Sequence, residues 1–122
     1  TIDNLDQFDE KFFSDLPLEA SVLDPQHRIF LEICYEALEN AGYTSKKYHG
    51  SIGAFAGTGE SSYFTNYVYP HQQTIELFGL WESKMANSPN LLANRVSYKL
   101  NLKGPSLNIN TACSTSLVSV II

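Results

Sequence analysis

The chain has 122 residues, 43% hydrophobic and 17% charged, with a net charge of −5 at pH 7. That is enough apolar content for one small domain with its own core, and too much for a disordered tail. An acidic chain without a basic run disfavours nucleic acid and anionic membrane as partners, and no apolar run approaches the ~20 residues of a membrane span.

In chain order, Asp3 and Asn4 precede a short helical turn that Phe8, Phe12 and Phe13 are expected to anchor to a core. Pro17 marks a turn, and Glu19–Leu23 reads as a second short helix. The next helix is the best specified. Asp24 is placed to cap it, Pro25 suits the first helical position, and Gly42 suits its C-terminal cap. Phe30, Ile33, Cys34, Ala37, Leu38 and Ala41 recur with helical spacing and predict one buried stripe, with Glu32, Glu36 and Glu39 on the wet side. Cys34 therefore reads as a structural thiol. His27 and Arg28 fall in the first turn, where Arg28 is spaced to pair with Glu32.

Ser51–Gly57 alternates small and apolar residues and predicts a buried strand, with Ile52 and Phe55 its largest members. Gly50, Gly53, Gly57 and Gly59 lack the Lys-Ser/Thr of a phosphate loop and the dinucleotide spacing, so close packing and a bend are the better reading. Glu60–Met85 is rich in aromatic residues and holds turn signals at Pro70 and Gly79. One Lys and no Arg argue against base stacking there and favour a packed or dimer-facing insertion. His49 and His71 show no catalytic pattern.

Ser88-Pro89 starts another helix, with Leu92, Val96 and Leu100 on one face and Ala93 broadening it. Gly104-Pro105 leads into a strand over Ser106–Asn110, with Leu107 and Ile109 on one face. After Cys113 come Ser114, Thr115 and Ser116 and then an apolar run, the pattern of a buried helix opening on small hydroxyl residues. The order strand, helix, strand, helix implies an α/β chain with a mainly parallel sheet.

Cys113 thus stands at a strand-to-helix junction. Unpaired N–H groups and the positive end of a helix there favour an anion, which eases loss of the thiol proton. The same N–H groups suit the oxyanion of a thioester under attack. A buried structural cysteine is the plainer alternative. The two cysteines have no metal-ligand spacing and read as free thiols of a reducing, cytoplasmic compartment. The chain lacks an initiating Met and stops within an apolar run at Ile122, as expected of a segment cut from a longer protein.

ANRVSYKLNLKGPSLNINTACSTSL, from Ala93 to Leu117, resembles the active-site segment of β-ketoacyl synthases, above all the ketosynthase domains of modular type I polyketide synthases. Two further stretches agree. Phe8–Tyr43 resembles the N-terminal signature around an Asp-Pro-Gln-x-Arg element, here Asp24 to Arg28, and Gly50–Gly59 resembles the Gly-rich strand that follows it. The resemblance runs in order from Phe8 to Val120, and its three motifs in register are far more specific than a lone cysteine.

The resemblance implies a thiolase-like fold of α-β-α-β-α layers, of which residues 1–122 would form the incomplete first half, ending just after the nucleophile. It implies that Cys113 takes an acyl group from the phosphopantetheine arm of an acyl carrier protein. The acyl-enzyme then condenses with a malonyl-type thioester, with loss of carbon dioxide, in polyketide or fatty acid biosynthesis. It makes the Cys113 N–H one oxyanion donor. The family's two histidines, in His-Gly-Thr-Gly-Thr and Asn-Ile-Gly-His contexts, are not among these residues. Asn110 stands where the family usually has Asp, and Thr115 where Ser is common. No cofactor or metal is expected to bind this segment itself. A homodimer is expected, paired through Gly104–Asn110 with Leu107 or Ile109 near its own copy. A non-elongating acyl-transferring relative, a non-catalytic dimerisation fragment and a Cys-dependent hydrolase are the other readings; the last needs a His beside Cys113.

Overall fold

The computed structural model describes residues 21–43 and 48–122. The expected turn over Phe8–Phe13, the turn at Pro17 and the first two residues of the Glu19–Leu23 helix lie outside them. Ser21 and Val22 are helical.

Helix α1 spans Pro25–Ala41. Its ends follow from their residues. The Asp24 carboxylate accepts the Gln26 N–H at 2.9 Å, which satisfies a first-turn donor. At the other end Gly42 takes φ +77°, its N–H reaches the Glu39 carbonyl, and the Tyr43 N–H reaches that of Leu38. That pair of bonds is a Schellman cap, and the left-handed backbone is why glycine sits there. The buried face differs from the expected stripe. His27, Arg28 and Leu31 are buried and Cys34, Tyr35 and Leu38 are half-buried, whereas Ile33, Ala37 and Ala41 are exposed. A stripe drawn through apolar residues alone leaves out His27 and Arg28, and that turned it by about a quarter of a turn. Arg28 does not pair with Glu32. Its guanidinium carbon lies 5.7 Å from the centre of the Tyr63 ring, where a buried cation gains more from an aromatic face than from an exposed carboxylate.

The chain divides into two compact units, residues 1–29 with 60–88 and residues 30–59 with 89–122. In the first, a π-helical turn (Phe64–Val68) leads to α2 (Gln72–Phe78) and α3 (Leu80–Ala86). Val22, Leu23, Val68, Ile75 and Ala86 form its core, with Tyr63, Phe64 and Phe78 packed around them. The Asn87 amide nitrogen donates to the Val22 and Ser83 carbonyls at 2.7 and 2.8 Å. The aromatic insertion is therefore packed in part; Tyr67, Tyr69 and Trp81 remain exposed.

The second unit carries strands β1 (Ala54–Ala56) and β2 (Ser106–Asn108), paired in parallel with Ala54 opposite Ser106, Phe55 opposite Leu107 and Ala56 opposite Asn108. Both are shorter than the runs that predicted them, but the parallel pairing is the expected one. Helix α4 (Leu92–Lys99) covers one face of the pair. Of its expected stripe Leu92, Ala93 and Val96 are buried, with Leu92 and Ala93 packed on Ala54 and Ala56, while Leu100 lies just past the helix end and is half-buried. The covered face of β2 is polar. Asn108 accepts the Ala93 N–H at 2.9 Å and donates to the Asn90 carbonyl, and Ser106 donates to Asn94 at 2.8 Å. The two residues expected on one face of the strand differ in burial. Ile109, just past the end of β2, is buried, while Leu107 is 44% exposed, beside exposed Phe55. Helix α5 (Thr115–Ile121) was expected to be buried, yet Leu117, Val120 and Ile121 are exposed. Among the described residues nothing covers them.

Candidate active site

The approach to Cys113 is set by β1 and β2. The Ile109 N–H donates to the Ala56 carbonyl at 2.8 Å, which carries the ladder one residue past β2. The chain then turns through Asn110 and Thr111 into a 3₁₀ turn, Ala112–Ser114, and directly into α5. Gly57, just past β1, lets this turn come close. A Cβ at Gly57 would fall on the Ile109 carbonyl oxygen and on Cγ2 of Thr115. This is the close backbone approach that the glycine pattern predicted.

The turn is held by its own short polar side chains. The Thr111 N–H donates to Thr115 Oγ1 at 3.0 Å, and Thr115 Oγ1 donates to the Ala112 carbonyl at 2.9 Å. The Ala112 N–H donates to Asn110 Oδ1 at 3.4 Å, so Asn110 bonds local backbone as expected of an Asp substitute. The Ser114 N–H and hydroxyl both donate to the Thr111 carbonyl, and the Thr115 N–H donates to that of Ala112. The backbone donors of Thr111, Ala112, Ser114 and Thr115 are thus engaged. The N–H of Cys113 has no partner among the described residues. Ala112 takes φ +54°, a left-handed value that side chains with a Cβ rarely adopt. The Cys113 thiol is exposed, not a buried structural one. The sequence pattern foretold the junction but not the knot around Thr115; the hydroxyl residues Ser114 and Thr115 were the signal that the backbone there is bonded by side chains.

Elsewhere, burial pushes the half-buried Cys34 thiol up to about 11, which fits an inert thiol. His49 lines a cavity of about 220 Å³ with Tyr48, Ile52, Asn101 and Lys103, and Cys113 is not in its wall. His71 holds its Nδ1 2.7 Å from the Tyr67 carbonyl, and His27 is buried. Among the described residues no three His, Cys, Asp or Glu side chains group as metal ligands, and no helix is long and apolar enough to cross a membrane.

The family model described as "Beta-ketoacyl synthase, N-terminal domain" matches residues 1–121. The chain belongs to the β-ketoacyl synthase family. It is 39% identical to a phenolphthiocerol/phthiocerol polyketide synthase chain of Mycobacterium tuberculosis over 98% of this chain and 8% of that protein. It is 42% identical to cyclo-acetoacetyl-L-tryptophan synthase of Aspergillus oryzae over 97% of this chain and 3% of that one. The ketosynthase from module 6 of the bacillaene synthase of Bacillus subtilis 168 superposes with a TM-score of 0.77 and 36% identity, over 99% of this chain and 19% of the other. The fold is therefore that of the ketosynthases, thiolase-like, and the chain spans about a fifth of the solved ketosynthase. These residues correspond to the N-terminal segment of the ketosynthase domains of modular polyketide synthases.

Proposed function

We propose that residues 1–122 form the nucleophile-bearing part of a ketosynthase domain and that Cys113 is its acyl acceptor. The observation that carries this is the 3₁₀ turn, which presents an exposed thiol beside a backbone N–H left unpaired while its neighbours are engaged. The thiolate of Cys113 attacks the carbonyl carbon of an acyl thioester on the phosphopantetheine arm of an acyl carrier protein. The oxyanion takes the Cys113 N–H as one donor. The carbonyl–sulfur bond to the carrier breaks, the carrier thiol leaves with a proton, and an acyl-Cys113 thioester remains. A malonyl-type thioester then loses carbon dioxide, its α-carbon attacks the acyl carbonyl, and the Cys113 thiolate is released. Residues beyond this segment must supply the histidines for decarboxylation, so residues 1–122 alone should not condense. In this reading the working enzyme is a cytoplasmic homodimer.

The test uses the complete enzyme. After incubation with an acyl thioester, peptide mass spectrometry should find the acyl group on Cys113 and none after Cys113→Ala. An adduct on Cys34, or acylation surviving Cys113→Ala, refutes the assignment.

A further inference from the structure

We infer that Thr115 is the positioning residue that aims the Cys113 N–H, an inference that rests on the acyl-transfer reading above. The peptide unit between Ala112 and Cys113 is planar and trans, so its carbonyl and its N–H point in opposite directions. Its carbonyl end is held twice by one residue: Thr115 Oγ1 donates to it at 2.9 Å, and so does the Thr115 N–H. Fixing that oxygen towards Thr115 turns the Cys113 N–H to the opposite side, where it has no partner among the described residues. Two donors on one carbonyl also polarise the peptide unit and make its N–H a better donor.

The hydroxyl does a second thing. It accepts the Thr111 N–H at 3.0 Å, so one oxygen bridges the backbone before and after the Ala112 α-carbon. Between those two points lies φ +54° of Ala112, which relaxes towards negative φ if nothing holds it. Relaxation there would rotate the Ala112–Cys113 peptide and carry the N–H away. The β-branched side chain leaves Thr115 few χ1 states, and its Cγ2 lies where a Cβ on Gly57 would fall, so the hydroxyl is pinned from the methyl side as well. Thr115 touches no reacting atom in this scheme and acts only through the turn.

The test compares two reactions of Cys113 in the complete enzyme. Acylation by a short acyl thioester of N-acetylcysteamine builds an oxyanion, and alkylation by iodoacetamide does not. Thr115→Val keeps the shape and removes the hydroxyl. Acylation should fall about 10- to 30-fold, the loss expected of two hydrogen bonds, while alkylation changes little. Thr115→Ser should restore acylation. If Thr115→Val does not fold, Thr115→Ala in an Ala112→Gly background, compared with Ala112→Gly alone, carries the same test, because glycine tolerates the positive φ. Acylation unchanged by loss of the hydroxyl, or acylation and alkylation falling together, overturns the inference alone. Wild-type enzyme with no adduct on Cys113 overturns the acyl-transfer reading, and this one with it.

Discussion

Asn108 does from a strand what a cap residue does from a helix, and its loss should be felt at a single amide. Helix α4 begins at Leu92, and the residue before it, Leu91, offers no side-chain cap. The N–H of Ala93 lies in the first turn, has no intrahelical acceptor, and belongs to a residue with no exposed surface. Asn108 Oδ1 reaches it from β2 at 2.9 Å, and the Asn108 amide nitrogen donates back to the Asn90 carbonyl. Asn108→Leu removes both bonds and leaves a buried donor without water. An orphaned buried donor costs about 1–3 kcal/mol and each lost neutral bond ~0.5–1.5, so local destabilisation of about 2 kcal/mol is expected. At 1.4 kcal/mol per decade, that is roughly 30-fold faster amide exchange. Hydrogen–deuterium exchange of a peptide over residues 90–96 reads this without requiring reversible unfolding of a large enzyme. Asn108→Asp keeps the acceptor, and the positive end of α4 favours its charge, so protection at Ala93 should largely survive. Unchanged exchange in the Leu variant, or equal loss in both, would show that Asn108 is not the cap. It also follows that Asn108→Lys is a poor probe of subunit pairing, since it would loosen α4 first.

Leu107 is the clean probe of pairing, because it lies on the opposite face of β2, is 44% exposed, and has no side-chain hydrogen bond to lose. On a two-fold contact Leu107→Lys places two like charges together, so light scattering should show a shift to monomer; an unshifted dimer would remove this strand from the interface. Cys34, with its thiol pushed up to about 11, should label far more slowly than Cys113 at pH 8, as liquid chromatography–mass spectrometry with iodoacetamide would show; equal rates contradict its burial. The folded state holds that proton more tightly than the unfolded chain, so this contribution to stability is present below the unfolded value of 9.0 and is lost as pH rises towards 11. Denaturation midpoints of wild type and Cys34→Ala should converge over that window, and parallel curves would contradict the linkage.

What was legible in the sequence was what local chemistry decides. Asp24 and Gly42 bound α1 because a carboxylate and a left-handed glycine satisfy its end groups within a few residues of themselves. The Leu92–Val96 stripe and the parallel strands followed from spacing and element order. Cys113 was placed at its junction by the residue types on either side. The failures are all tertiary. His27 and Arg28 are buried because an aromatic ring and a core meet that turn, which no period in the sequence records. β2 stops at Asn108, two residues short of the alternating run, and Ile109 is buried while Leu107 is exposed, a difference that alternation does not record. The Thr115 knot depends on a strained Ala112 that only the assembled turn sustains.

The exposed apolar surface belongs to the same argument. Phe55 and Leu107 stand side by side on the face of the strands opposite Ala54, Ala56 and Asn108, and Leu117, Val120 and Ile121 are bare on α5. A parallel sheet is stable when both faces are covered, and the apolar side of a helix belongs against a core. The described residues cover one face of the strands, and on α5 they half-bury Val118 but leave Leu117, Val120 and Ile121 bare. The solved ketosynthase that superposes on this chain has four-fifths of its length outside the aligned part, ample to form two more layers. Covering α5 would bury the wall behind Cys113 and lower the dielectric around its N–H, which has no partner among the described residues. A hydrogen bond to an oxyanion is stronger there than in water. On this reasoning the short polar knot sets the direction of the donor, and the apolar face behind it sets what that donor is worth. The two should be separable: changes at Thr115 alter acylation with the fold intact, whereas a charge such as Val118→Asp on α5 should cost the fold itself.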